Sequence, residues 1–494
     1  MKFLVATCMI FLFQSLAFAD LQVKLHFSPL ANLVYQLDCV SGELRHCSRD
    51  TYQGLWKKEF SKTPEDEALV KSWGTLMGRY RQSVDFNESD KPAVASRDEG
   101  VQLSTKLRIA SFQSDNMKDY FSRLDLVVLP SDREKFEEVV RHFFPVFEKW
   151  WKKTALPKGN VFAQETESLL KRPDISKKLK QYAHFYEANL PENYEVHFNL
   201  FYRPDSDEST AGQQIENYSV AEFLPIEKPV DRVDVIIHEL CHFFYRSSPD
   251  ERFVSLQKSF EANGKPEARG ANNLINETLA TTLGNGLINK LTMDKKRWEK
   301  YSNKPQSFYF NYHIDKAAKA ILPWMEDWLK SGRTLYDSQF VEKYVSTLEK
   351  EFGPELTAPK LMLNELVLVS DSKFNGKFGD IVRKVIRSSS MYASEGDWSD
   401  ERSLKSYREL PNLSALIIIH PSNINQLKEK GLLNNSDFES FKRSLKEKGQ
   451  LVYGFNRNPN VPSYVISAPS YEEAVKLVEK IGELKAGFSG ALNL

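Results

Sequence analysis

The feature that most limits how this chain can fold is a short apolar segment containing two histidines and a glutamate. Residues 233–245 read VDVIIHELCHFFY. A helix of this sequence would be apolar on nearly every side, so it belongs inside the protein. Burying two imidazoles and a carboxylate without a partner would cost several kcal/mol. We therefore expect a buried helix whose polar residues share a ligand.

The polar residues of this segment form the pattern H-E-x-x-H. Residues four apart lie one above the other on a helix, so His238 and His242 share a face. Their ring nitrogens can then meet one tetrahedral zinc ion. Glu239 is rotated by about 100° from His238, where it can reach a water molecule without binding the metal, as suits a general base. Cys241 lies off the shared face and is expected in the core.

A catalytic zinc site needs a third protein ligand and an open position. Residues 272–280 read NNLINETLA, with Glu277 placed 35 positions after His242 on a second predicted helix. Glu277 is one candidate for the third ligand. Acids closer to the first helix are the alternatives, namely Asp250, Glu251 and Glu267.

H-E-x-x-H followed by N-E-x-x-A on a second helix resembles the gluzincin metallopeptidases, which include thermolysin-like and aminopeptidase-like enzymes. The resemblance covers two short motifs and their helices. It implies a zincin-like fold in which Glu277 completes a zinc site with the two histidines. It also implies that Glu239 activates water for attack on a peptide bond.

The chain departs from this family pattern in three places. The loop between the motifs is longer than in thermolysin-like enzymes. Those enzymes also carry an aspartate four residues after the third ligand, which orients a zinc-binding histidine, whereas this chain has Thr281 there. We expect that role to fall to Thr281, Thr282 or another carboxylate. The G-x-M-E-N motif of aminopeptidases is absent, which favours endopeptidase action.

Peptide hydrolysis also requires a donor to the developing oxyanion besides zinc. Gluzincins usually supply a Tyr or His from a later helix, and Tyr309, Tyr312 and His313 follow Glu277 at a suitable interval. The alternative for these residues is aromatic core packing with a surface histidine. In gluzincins an edge strand just before the active-site helix binds the extended substrate, so the resemblance implies the same role for the strand predicted over residues 217–224.

The start of the chain has the pattern of a secretory signal peptide. Met1-Lys2 precedes an apolar run over residues 3–13, and Ala17-Phe18-Ala19 forms a small-x-small cleavage site. A membrane anchor is the alternative, but the run is short for the ~30 Å of a bilayer core. We expect cleavage after Ala19 and a secreted or periplasmic protein with no membrane association after cleavage.

Composition and cysteine content exclude several classes of protein. The 67 basic and 67 acidic residues balance, which argues against a nucleic-acid-binding protein. The 41% of hydrophobic residues can form a core, and 494 residues suggest several domains. Cys39 and Cys47 flank the turn-forming pair Ser41-Gly42, and either a disulfide or two buried thiols fits them.

The pattern of helices and strands predicts the α+β class, with a predominantly helical zincin-like core and a small mixed or antiparallel sheet beside the active-site helix. The predicted divisions are a signal peptide (1–19), an N-terminal α+β region (20–190), a catalytic region (191–387), a linker (388–405) and a C-terminal α/β module (406–494).

Within the N-terminal region, residues 103–111 and 124–129 are predicted as strands. Ser131 and Glu134 predict a capping box that opens a long helix.

Together these features predict an exported zinc metallopeptidase that acts on peptide or protein substrates, more as an endopeptidase than as an exopeptidase. Three alternatives stay open. The zinc could only stabilise the fold, the C-terminal module could make this a binding protein, or the enzyme could hydrolyse a non-peptide amide such as a cell-wall crosslink.

Overall fold

A computed structural model describes most of the chain. The described residues are 21–44, 47–81, 103–190, 194–204, 212–215, 218–374, 378–386, 390–396, 404–458 and 461–492. The predicted signal peptide and much of the predicted linker lie outside them. The described part is mostly helical with two mixed sheets, as expected for the α+β class.

The first sheet joins the start of the chain to the centre of the sequence. Its strands are β1 (Gln22–His26), β2 (Glu195–Tyr202), β3 (Gly212–Ile215) and β4 (Tyr218–Phe223), in the spatial order β1-β2-β4-β3. Strands β1, β2 and β4 are parallel, with Val23 opposite Val196 and Asn199 opposite Val220. Strand β3 runs antiparallel to β4 and forms one edge.

Helices dominate the N-terminal part of the chain. They are α1 (Pro29–Val40), α2 (Arg49–Glu59), α3 (Pro64–Arg79), α4 (Leu103–Phe112), α5 (Met117–Leu124), α6 (Pro130–Thr154), α7 (Leu156–Leu170) and α8 (Pro173–Phe185). Cys39 and Cys47 form a disulfide between α1 and the start of α2.

Two strand predictions in this part are wrong, because residues 103–111 lie in α4, and residues 124–129 contain the end of α5 and the turn before α6. Apolar residues in α4 recur at Leu103, Leu107 and Ala110, which is helical spacing. The predicted capping box is also wrong. Helix α6 starts at Pro130 with Leu129 as its N-cap and no side-chain cap bond, and proline suits the first helical position.

The central part of the chain carries the second group of helices. They are α9 (Val233–Arg246), α10 (Asp250–Ala262), α11 (Glu267–Ala280), α12 (Asn289–Thr292), α13 (Lys295–Asn303), α14 (Tyr312–Lys330), α15 (Phe340–Phe352) and α16 (Pro359–Met362). A π-helical segment, Thr281–Ile288, joins α11 to α12. One hydrophobic core runs from Leu30 to Leu361. The predicted N-terminal and catalytic regions therefore share one sheet and one core.

The C-terminal part is a separate sheet covered by helices on both faces. Its strands are β5 (Glu365–Asp371), β6 (Ser390–Gly396), β7 (Ser414–Ile419), β8 (Leu451–Asn456), β9 (Pro462–Ser467) and β10 (Gly490–Ala491), in the order β10-β8-β9-β7-β5-β6. Its helices are α17 (Gly379–Ile386), α18 (Lys405–Glu409), α19 (Asn425–Glu429), α20 (Asn435–Lys448) and α21 (Tyr471–Glu483). Two apolar clusters lie on its opposite faces.

This C-terminal sheet is mixed, and it begins before residue 406, the predicted start of the module. Strand β5 comes from the predicted catalytic region and β6 from the predicted linker. The polar sequence around β6 is typical of a linker. A strand can still form there, because the backbone hydrogen bonds that pair β6 with β5 from Ser390 to Gly396 do not depend on the side chains. No helix in the described part of the chain is both long and apolar enough to cross a membrane.

Candidate metal centre

The helix that carries H-E-x-x-H lies at the centre of the main core. In α9, His238, Glu239 and His242 are only 6–8% exposed. Cys241, on another side of the helix, is fully buried among apolar residues, as predicted. The apolar flanks therefore bury the motif, as the sequence indicates.

Helix α11 brings Glu277 against the two histidines. Its Oε2 lies 3.5 Å from His238 Nε2, and its Oε1 lies 3.4 Å from His242 Nε2. The two Nε2 atoms are 3.0 Å apart. Ligand atoms around a tetrahedral zinc are separated by about 3.3 Å when the bonds are near 2.0 Å. The three residues could therefore hold a metal ion, and they are the only such group in the described residues.

Glu277, the predicted third ligand, thus lies within reach of both histidines, whereas Asp250, Glu251 and Glu267 do not belong to this group. Glu277 Oε2 is also buried and lacks a hydrogen-bond partner among the described residues. A buried carboxylate oxygen without a partner is costly, and a metal ion would satisfy it.

A chain of side chains orients His238 from behind. Asp234 Oδ2 accepts hydrogen bonds from Asn285 Nδ2 at 3.1 Å and from Asn289 Nδ2 at 2.7 Å. These bonds direct Asn285 Oδ1 towards His238 Nδ1, 2.9 Å away. Because a carbonyl oxygen only accepts, Nδ1 donates the hydrogen bond to Asn285 Oδ1, and Nε2 faces Glu277.

His242 is oriented in a similar way by Asn276, whose Oδ1 lies 3.0 Å from His242 Nδ1. Amide oxygens thus contact both Nδ1 atoms, and the two Nε2 atoms face each other across 3.0 Å. Such an arrangement is repulsive unless a cation or a proton lies between them. The contacts around the histidines are therefore of the kind that orients metal-binding histidines.

The sequence did not reveal these orienting residues. Thr282, one of the predicted candidates, donates its hydroxyl hydrogen bond to the carbonyl of Thr278 instead. Thr281 Oγ1 is buried and has no partner among the described residues. Asn276 adjoins the third ligand and could have been suspected, but Asn285 is placed by the π-helical segment, which no sequence pattern indicated.

The π-helical segment packs unusually close to α9. A Cβ atom added to Gly284 would lie 2.7 Å from the backbone nitrogen of His238 and 2.8 Å from the carbonyl oxygen of Asp234. Only glycine permits this approach, which places Asn285 within reach of His238. π-helical turns of this kind are frequent at functional sites.

Glu239 faces the edge of the first sheet. A Cβ atom added to Gly212, on β3, would lie 2.8 Å from Glu239 Oε1. The substrate strand predicted over residues 217–224 contains β4 (Tyr218–Phe223). Because β4 lies inside the sheet between β2 and β3, the edge beside the motif is formed by β3. Burial raises the pKa of Glu239, as does nearby Glu277, although the histidines oppose the shift.

Of the three predicted oxyanion donors, the structure brings only Tyr309 to the histidines. Its ring stacks on His238 with the centroids 5.7 Å apart. Burial and the nearby carboxylates raise the pKa of Tyr309 well above its usual value, so its hydroxyl stays protonated. Tyr312 is 48% exposed and packs under the Lys316 ammonium group. His313 Nε2 instead bonds Glu355 Oε1 at 2.9 Å.

The charges of the centre depend strongly on one another when no metal is bound. Burial alone would lower the pKa of His242, but Glu277 outweighs it and raises that pKa to about 9. Burial would raise the pKa of Glu277, but the two histidines hold it well below its usual range. A metal ion must therefore displace a proton from this group at neutral pH.

Comparison with protein-family models, with curated proteins and with solved structures found no match for this chain. Any functional assignment therefore depends on the residues and distances given above.

Proposed function

We propose that this protein is a zinc-dependent peptidase. One observation carries the proposal: the ligand atoms of two imidazoles and one carboxylate converge within 4.8 Å of one another. A buried glutamate that adjoins the first histidine in sequence accompanies them. The resemblance of the two motifs to those of gluzincins agrees with this assignment.

Zinc is the metal that the ligand set favours. Two neutral histidines and one carboxylate form a three-ligand set that leaves a coordination position open, as in catalytic zinc sites. When bound, zinc would polarise the substrate carbonyl and make a water molecule more acidic. His238, His242 and Glu277 would hold it.

The remaining residues supply the proton transfers. Glu239 would accept a proton from the attacking water and deliver it to the leaving amine, and its raised pKa suits both steps. Tyr309, kept protonated by burial, would donate a hydrogen bond to the developing oxyanion. Tyr312 and His313 have no part in this scheme.

The substrate would lie along β3. An edge strand has unpaired backbone groups that can bind an extended peptide, and Gly212 keeps this edge close to Glu239 without a side chain between them. A peptide bound by its backbone can extend in both directions, which favours endopeptidase action. The signal sequence would direct the enzyme to a secreted or periplasmic location.

The experiment is to express the chain from Asp20, measure its zinc content and assay casein hydrolysis. We expect Glu239→Gln to retain zinc and melting temperature while hydrolysis falls by at least about a hundredfold. Glu277→Ala should lose most of the zinc. Glu251→Gln, an exposed acid outside the metal group, is the matched control and should keep both.

Three results would separate the alternatives. Full activity of the Glu239→Gln variant would refute the assigned general base. Zinc binding by the wild-type protein without hydrolysis of casein or of any peptide would indicate a metal that only stabilises the fold. Hydrolysis of amides in cell-wall fragments, but not of casein, would identify a non-peptide substrate.

A further inference from the structure

A second polar site lies directly behind the metal centre. Arg269, on the first turn of α11, lines a small cavity of about 70 Å³ between α11 and the C-terminal sheet. Its Nε atom is buried and has no hydrogen-bond partner among the described residues. Burial lowers the pKa of Arg269, and the charges of Glu365 and Glu261 oppose the shift without reversing it. A buried guanidinium nitrogen without a bonded partner is costly, which indicates a missing acceptor.

The cavity also receives the side chain of Asn276, which connects it to the metal centre. Asn276 Oδ1 is occupied by His242 Nδ1, so the amide nitrogen Nδ2 points away from the histidine. No acceptor for this nitrogen is found in the described residues. Arg269 and Asn276 thus line the same cavity, and Asn272 adds a further amide residue to its lining.

The volume limits what could accept these hydrogen bonds. A site needs about 10–15 Å³ of volume open to the centre of a water molecule to hold one water, so 70 Å³ holds a small ion or a few waters. The donor groups favour an anion over a neutral ligand, because a charged acceptor strengthens bonds to a guanidinium.

We propose that this cavity binds a small monovalent anion, of the size of chloride or formate, between Arg269 and the Asn276 amide, and that the bound anion strengthens the metal centre. The inference builds on the metal site proposed above, but not on peptide hydrolysis. An anion that accepts from Asn276 Nδ2 polarises the amide, so its Oδ1 becomes a better acceptor for His242 Nδ1. His242 then becomes a stronger metal ligand.

Glu365 is the group that opposes this arrangement. It lines the same cavity, and its negative charge acts on the Arg269 guanidinium. That carboxylate would repel an anion, so Glu365→Gln should tighten anion binding. If Glu365 instead serves as the counterion of Arg269 through water, that variant should lose stability and gain no anion response.

The test measures zinc affinity by chelator competition at constant ionic strength, with sodium gluconate replaced stepwise by sodium chloride or formate. Wild-type protein should bind zinc at least about fivefold more tightly in chloride, and zinc should tighten chloride binding by the same factor. Arg269→Gln should abolish the effect, and Arg269→Lys, which keeps the charge, should weaken it. Arg333→Gln, a surface arginine, is the control and should respond like wild type.

The outcomes separate this inference from the peptidase proposal. Zinc binding and casein hydrolysis without any chloride response would refute the anion site alone. A chloride response that persists in both Arg269 variants would also refute it, because the anion would then bind elsewhere. Wild-type protein that binds no zinc would refute the coupling together with the metal site.

Discussion

Replacing Gly284 by alanine should weaken metal binding, although the residue touches no metal ligand through a side chain. The added Cβ would meet His238 N at 2.7 Å, with Asp234 O and His238 Cα at 2.8 Å. These are backbone atoms of α9 and cannot rotate away. The π-helical segment and α9 would have to separate by about 0.7 Å, the difference between 2.7 Å and the ordinary contact limit of 3.4 Å.

That displacement is large compared with a hydrogen bond. The distance from Asn285 Oδ1 to His238 Nδ1 would increase from 2.9 Å to about 3.6 Å, which no longer counts as a hydrogen bond. Loss of such an orienting contact typically lowers metal affinity by about 10- to 100-fold. Overpacking typically costs about 1–3 kcal/mol, and alanine regains about 1 kcal/mol of helix propensity, so we expect a net loss of up to about 2 kcal/mol.

The assay combines urea unfolding of the metal-free protein with chelator competition for zinc. Gly54→Ala is the matched control, because Gly54 also lies in a helix but a Cβ atom added there would have nothing within 4 Å. It should stabilise the protein by roughly 0.5–1 kcal/mol and leave zinc affinity unchanged. Wild-type zinc affinity in Gly284→Ala would refute the argument that this close contact positions Asn285.

Asn285→Ala should lower zinc affinity about 10- to 100-fold in chelator competition, with little loss of fold stability. The pKa of His242 is raised to about 9, so protonation of this residue stabilises the metal-free protein. The contribution is on the order of 3 kcal/mol below pH 6.5, and it is lost as the pH rises through 9. Zinc should therefore raise the melting temperature more at pH 9 than at pH 6.5, and an equal shift at both would contradict this reasoning. Gly212→Val should reduce hydrolysis by crowding Glu239 while zinc content stays unchanged. Reducing the Cys39–Cys47 disulfide, which closes a short loop, should cost about 2–3 kcal/mol in urea unfolding.

The candidate metal ligands could be predicted from the sequence because two histidines on one helix face require a fixed spacing, and because the family resemblance indicated Glu277. His238 and His242 had to share one face, and Glu277 lay in a recognisable segment of a second helix. Strands β7, β8 and β9 of the C-terminal sheet were equally clear, since each is an apolar run of strand length. Local sequence was sufficient where local periodicity determines the structure.

The remaining features depend on contacts between distant segments. Asn285 orients His238 only because a π-helical segment with Gly284 packs against α9. Strand β3 became the sheet edge because β4 pairs with β2, which hydrophobic patterns do not specify. Residues 103–111 contain both alternating and helical apolar spacing, and burial on most sides of α4 made the two patterns hard to distinguish.

The pairing of β1 with β2 has a consequence for how the protein folds. Gln22 lies beside Glu195, so a parallel strand pair joins segments about 170 residues apart in sequence. Closing so long a loop is entropically costly and typically slow. During synthesis, the sheet that supports Glu239 stays incomplete until β4 has emerged, and the first strand must wait unpaired. Chaperone binding to the segment around β1 would shield it over that interval.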